Sequence, residues 1–162
     1  MGIDAYLKLD GLDGESQDSQ YGKHIEVLSW SFGGSQPGTF HHGSGGSAGR
    51  VSMTDLSVVK YMDQASNTLM SKCASGKHFK DAKLYLRKSG QGKNPKPFQV
   101  YTMQPVIISS YSTGGSPSED QFTETITLNF GKIEGEYKEQ KKDGSFGGAV
   151  KFAVDLEKHE AE

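Results

Sequence analysis

Apolar residues at every second position dominate this chain and restrict it to a β-rich fold. Ile3, Ala5, Leu7 and Leu9 alternate with Asp4, Tyr6, Lys8 and Asp10. A period of two puts one set of side chains on each face of a strand, so this segment predicts a strand with one buried face. Asp10-Gly11 and Asp13-Gly14 end it. Val150, Phe152, Val154 and Leu156 predict a last strand of the same kind, and Ala82, Leu84 and Leu86 a short one between. Three inner segments change parity. Ile25 and Val27 share one face while Leu28, Trp30 and Phe32 share the other. Residues 98–112 show a similar mixture, and 121–137 switch faces across Gly131. A parity switch requires a bulge, a bend or a strand covered on both faces. Long strands with such switches suit a coiled sheet or a small closed barrel. Each could also be two shorter strands joined by a kink.

One segment has helical spacing. Ala65, Leu69 and Cys73 fall at i, i+4 and i+8 within 63–75, with Asp63 or Ser66 as N-cap and Gly76 just past the end. The expected fold class is therefore mainly β: a closed or nearly closed antiparallel barrel, one short flanking helix over about 63–75, and a long protruding loop over 33–49. Residues 1–162 are expected to form a single domain. Glycine supplies 21 of 162 residues, well above the usual ~7%. Leu, Ile, Val and Phe lie near the ~20% level at which disorder becomes a concern, but a net charge of −2 removes the self-repulsion that disorder also requires.

Charge and composition exclude several functions. Eighteen basic and twenty acidic residues leave no footprint for nucleic acid or an anionic membrane. There is no apolar run long enough for a membrane-spanning helix. Met1-Gly2-Ile3-Asp4-Ala5 carries no signal-peptide pattern, and Tyr6 stands where a myristoylation motif wants Ser or Thr. A single cysteine, Cys73, rules out an intrachain disulfide, and its place on the apolar helix face predicts a core residue rather than a nucleophile.

The Gly43-Ser44-Gly45-Gly46-Ser47-Ala48 run fits a dinucleotide-binding spelling. That motif needs a helix N-terminus behind it, and Arg50–Thr54 alternates like a strand instead. His41 and His42 are adjacent and lack a third ligand, so no metal is expected. No serine sits in a G-x-S-x-G elbow. No cofactor is expected.

Small polar residues oppose the apolar faces of two strands. Ser29 and Ser31 flank Trp30. Thr123, Thr125, Thr127 and Asn129 alternate with Phe122, Ile126, Leu128 and Phe130, while Glu124 falls on the apolar parity. An ordinary solvated face also carries Lys and Glu. A neutral hydroxyl face equally suits a wall turned to a partner or a water-filled channel. The loop 33–49 is long enough to be functional. It contains Gly33, Gly34, Pro37, Gly38, Phe40, His41, His42, Gly43, Gly45, Gly46 and Gly49.

The order and spacing of several stretches resemble the Hcp (haemolysin-coregulated protein) family of the bacterial type VI secretion system. They are Asp4-Ala5-Tyr6-Leu7-Lys8, Gly14-Glu15-Ser16, Ile25 to Gly33, Asp55-Leu56-Ser57 to Lys60, Gly76-Lys77-His78, Ser112 to Ser116, and Thr123 to Phe130. Family members often carry Ser-Pro shortly before Leu-Met; here Asn67 follows Ser66.

The resemblance implies a β-barrel with a helix, assembled as a homohexameric ring that stacks into a hollow tube. It implies sheath, spike and effector proteins as partners, and no enzymatic activity. It also implies synthesis in the bacterial cytoplasm and export through the type VI apparatus without a cleaved signal peptide. With the chain ending shortly after Glu157, no C-terminal toxin domain is expected. On the family pattern, Ser31 is similar to a lumen-facing position that contacts effectors, and the 33–49 loop is the candidate stacking element. A monomeric β-sandwich that binds a ligand and a small hydrolase remain as alternatives.

Overall fold

The computed structural model describes residues 2–38, 40, 50–90, 95–158 and 160–161. The expected period-two segments are strands β1 (Ile3–Leu9), β2 (Ile25–Ser31), β5 (Leu56–Tyr61), β6 (Ala82–Lys88), β7 (Gln99–Gly114), β8 (Thr123–Gln140) and β9 (Phe146–Asp155). Three two-residue strands complete the set: β3 (Gly34–Ser35), β4 (Ser52–Met53) and β10 (Glu160–Ala161). The main sheet runs β10-β9-β8-β5-β2-β1-β6-β7, and β7 returns to pair with β8. Six strands, β8-β5-β2-β1-β6-β7, thus close an antiparallel barrel, and β9 and β10 extend it outward from β8. Closure pairs the strand edges where the six strands overlap.

The long segments are continuous strands of 16 and 18 residues, not kinked pairs. The parity switches are bulges and coiling. Between Val27 and Ser29 the register to β5 shifts, so Ile25, Val27, Trp30 and Phe32 all pack on the core while Leu28, Ser29 and Ser31 face out. A second shift lies between Ile108 and Ser110. On β8 the buried set changes from Ile126, Leu128 and Phe130 to Ile133 and Gly135 across Gly131, as the sequence predicts. There the Phe152 ring occupies the space a side chain on residue 135 would need.

The core fills the barrel with Leu7, Leu9, Ile25, Leu56, Leu84, Met103, Ile108, Leu128 and their neighbours. Helix α1 (Ser66–Ser75) packs on β7, with Leu69 and Ala65 buried and Cys73 half-buried against the core. The helix starts later than expected because Asp63 to Ala65 form a turn of their own. The N-cap position is Ala65, with no side-chain cap bond, so neither Asp63 nor Ser66 caps the helix as expected; the Asp63 carboxylate instead accepts the Ala65 N–H at 2.9 Å within the turn. Gly76 ends the helix in the left-handed region, φ 69°, where a side chain would be strained.

Two expectations need correction. The 33–49 loop is not free of structure from its first residues: Gly34 and Ser35 pair with Met53 and Ser52, so it springs from a short ladder. The last strand does not bury one whole face either. Val150 is 70% exposed because β9 lies beyond the closed barrel, where no second layer covers it.

Candidate functional site: a hydroxyl wall

Neighbouring strands β2, β5, β8 and β7 turn three matched rows of residues outward. Ser31, Ser57, Thr127 and Ser110 form one row by register. Ser29, Val59, Thr125 and Ser112 form the next, and Tyr61, Thr123 and Gly114 the third. None of these positions carries a formal charge. The hydroxyls bond to one another: Thr127 Oγ1 lies 2.7 Å from Ser109 Oγ and 2.6 Å from Ser110 Oγ. At the border, Asp55 accepts hydrogen bonds from Ser109 Oγ at 2.6 Å and Asn129 Nδ2 at 2.8 Å. Among the described residues, Ser109 thus has a carboxylate and a threonine as its side-chain partners, an arrangement unlike a nucleophile with its base.

On both flanks of the wall the strand ladder is incomplete, with α1 packed beside β7. Among the described residues, β1 reaches only Ile25–Val27 of β2, and β6 reaches only Gln99–Met103 of β7. The outer edges of β2 after Val27 and of β7 after Val106 therefore stay outside the ladder. An exposed strand edge is a template for a further strand or a flat neighbour.

Behind the wall the charge pattern inverts. Lys60 on β5 and Glu124 on β8 are register partners, fully buried and ion-paired. Lys60 Nζ also lies 3.0 Å from Asp63 Oδ1, 3.3 Å from Ser66 Oγ and 2.9 Å from the Tyr61 carbonyl. Ser66 donates to Glu124 Oε1 at 2.6 Å, and Tyr111 to Oε2 at 2.5 Å. Burial pushes the Glu124 carboxyl up, but the bonds from Lys60, Ser66 and Tyr111 outweigh it and hold the group below the usual range. Burial and the bond to Glu124 push the Tyr111 phenol up to about 12. This cluster ties β5, β7, β8 and the start of α1 together.

Only part of the wall is legible in the sequence. Ser29, Ser31, Thr123, Thr125, Thr127 and Asn129 do face outward together. Ser57, Ser110 and Ser112 escape it. The bulge before Ser110 hides their parity, and Ser110 and Ser112 flanking Tyr111 are the available signal. Of the loop residues, Gly33 is half-buried, Gly34, Pro37 and Gly38 are exposed, and Phe40 is 82% exposed. His41, His42, Gly43, Gly45, Gly46 and Gly49 lie outside the described residues. Among the described residues, no cluster of three or more His, Cys, Asp or Glu could hold a metal ion. No helix there is long and apolar enough to cross a membrane.

The family model for the type VI secretion system effector Hcp matches residues 6–137. The chain belongs to the Hcp family. It is 44% identical to Protein hcp1 of Pseudomonas aeruginosa over 157 residues, 96% of each chain. It is similar in structure to Hcp1 from Salmonella typhimurium, with a TM-score of 0.81 and 37% identity over 100% of both chains. A solved type six secretion system protein matches with a TM-score of 0.91 and 32% identity, over 99% of this chain and 100% of that one. Hcp proteins are secreted through the type VI system and are a structural family rather than an enzyme family.

Proposed function

We propose that this Hcp chain is the tube subunit of a type VI apparatus: six copies close into a ring, rings stack into a hollow tube, and the hydroxyl wall lines the bore. The observation that carries the reading is the wall itself. Hydroxyls wet a channel and offer hydrogen bonds to a passing protein, while the lack of charge avoids the tight ion pairs that would trap it. The edges of β2 and β7 that the ladder leaves out, one on each flank, suit a heterologous contact that repeats around a closed ring. Ser31, exposed on β2, contacts effectors in the bore. The 33–49 loop, which starts at β3 and carries Phe40, takes part in stacking. Sheath, spike and effector proteins are the further partners. The part played is mechanical and requires no covalent step or cofactor.

Light scattering tests the first step, with a mass near six times 17.6 kDa expected. A monomer at every concentration overturns the ring. Ser31→Gln should keep the ring and lose retention of a co-expressed effector; unchanged retention removes Ser31 from the contact. Shortening the 33–49 loop should keep rings but shorten tubes in negative-stain images, and tubes of normal length discard its stacking role.

A further inference from the structure

Strand β8 separates two ends of opposite unspent charge. Before its first residue lie the exposed Glu119 and Asp120, and beside them a concave seat of about 200 Å³ lined by Glu15, Glu26, Asp63 and Gln121. At its other end, the β8–β9 hairpin carries the exposed Lys138, Lys141, Lys142 and Lys151, with the exposed carboxylate Glu139 among them. Some of these charges are already engaged. Lys60 holds Asp63 inside the protein, Glu136 faces Lys138 and Lys151 at 3.5 and 3.9 Å, and Asp143 is held by the Ser145 N–H and hydroxyl. The remainder are not. Among the described residues, Glu26 and Asp120 have no cation in ion-pair range, and Lys141 and Lys142 have no carboxylate.

Apolar side chains accompany both ends. Tyr61 and Met62 stand exposed on the rim of the acidic seat. Tyr137 and Val150, register partners on β8 and β9, stand exposed at the basic end, on the side of the sheet that continues from the core past Phe152. Each end thus matches the other in charge and in apolar character, and neither matches itself. Surfaces of that kind join head to tail.

We propose that the β8–β9 hairpin end of one copy docks on the acidic seat of a second copy, so that stacking is directional and controlled by ionic strength. The inference rests on the tube reading and adds the contact that sets its polarity. The screening length falls from about 30 Å at 0.01 M salt to about 3 Å at 1 M, so exposed rim charges act strongly only in the first condition. Association should therefore be greatest at low salt and fall as salt rises.

The test follows assembly by sedimentation and negative stain in three variants of the full chain. K141E/K142E and E26K/D120K each place like charges across the contact and should each reduce stacked assemblies about tenfold or more. All four side chains are solvent-facing, so folding should survive, which circular dichroism checks. The chain with all four changes restores opposite charges across the contact and should stack like the wild type. Stacking by either double variant at wild-type level overturns the proposal, as does failure of the fourfold variant to recover. Wild-type tubes that ignore both salt and these substitutions overturn it while the tube reading stands. A wild type that never stacks at low ionic strength overturns both.

Discussion

Two walls of the same barrel treat water differently. The β1–β6 wall turns out Asp4, Tyr6 and Lys8 against Arg87, Tyr85 and Lys83. Opposite it in the strand order, β5 and β8 turn out Ser57, Val59, Thr123, Thr125 and Thr127. On the first wall the charged groups lie outside and bind the 12–24 segment back onto the barrel. Arg87 donates to Asp18 Oδ2 at 2.9 Å, to Gln20 Oε1 at 3.2 Å and to Asp4 at 3.2 Å, and its guanidinium lies over the rings of Tyr6 and Tyr21. On the second wall the charges lie inside, as the Lys60–Glu124 pair. The first wall is covered by its own chain. The second is smooth and held from behind, as expected of a surface meant for something else.

The sharpest way to break this contrast is from the inside. Lys60→Met leaves Glu124 buried with hydroxyl donors and no cation. Removing one partner of a buried pair costs about 3–5 kcal/mol, whereas replacing both by neutral groups is often mild. Lys60→Met should therefore lower unfolding stability by that order, and the double change with Glu124→Gln should recover much of it. A single variant losing less than about 1 kcal/mol in denaturant titration would show that the pair does not hold the wall.

A smaller and pH-dependent effect belongs to the other wall. Arg87, with the Tyr21 and Gln20 N–H groups, holds the Asp18 carboxyl well below the usual range against the opposing effect of burial. An unfolded Asp titrates near 3.9. Stabilisation by Asp18 is thus complete above that pH and drains away as pH falls toward the lower folded value. Asp18→Asn should cost about 1–2 kcal/mol at neutral pH, the scale of a bond to a charged group with part of it exposed. The gap to wild type should narrow below about pH 4. A gap independent of pH down to pH 2 would remove the ionic part of this tie.

How far the sequence foretells these walls depends on which interactions are local. Period-two runs such as Ile3–Leu9 predict strands because the alternation is a property of the segment. The bulge at Leu28–Ser29 is legible for the same reason: parity changes within five residues. Glu124 on the apolar parity signals an oddity, but its partner Lys60 is 64 positions away and meets it only through strand register. The Arg87–Asp18 tie is hidden likewise, because it depends on how the 12–24 segment folds back over β1 and β6. Val150 shows the reverse failure. Its alternation predicts burial, yet covering depends on layers beyond β9 that no local pattern encodes.

The smallest effect on stability should be the most informative about function. Ser112 is exposed on β7, opposite Thr125 in the middle of the wall. Ser112→Lys adds a flexible, solvated charge and breaks no hydrogen bond of the fold, so stability should change by less than about 0.5 kcal/mol. Six copies around a bore would each contribute that cation, and their fields would reinforce one another in a confined space. Effector retention or ring closure should therefore drop while the unfolding midpoint stays fixed. Lys83→Ser, the inverse change on the β1–β6 wall, should alter neither, because Lys83 is an exposed position on the wall that the chain's own 12–24 segment covers. If both variants leave assembly and retention untouched, the two walls differ in composition alone, and the hydroxyl rows have no partner-facing role.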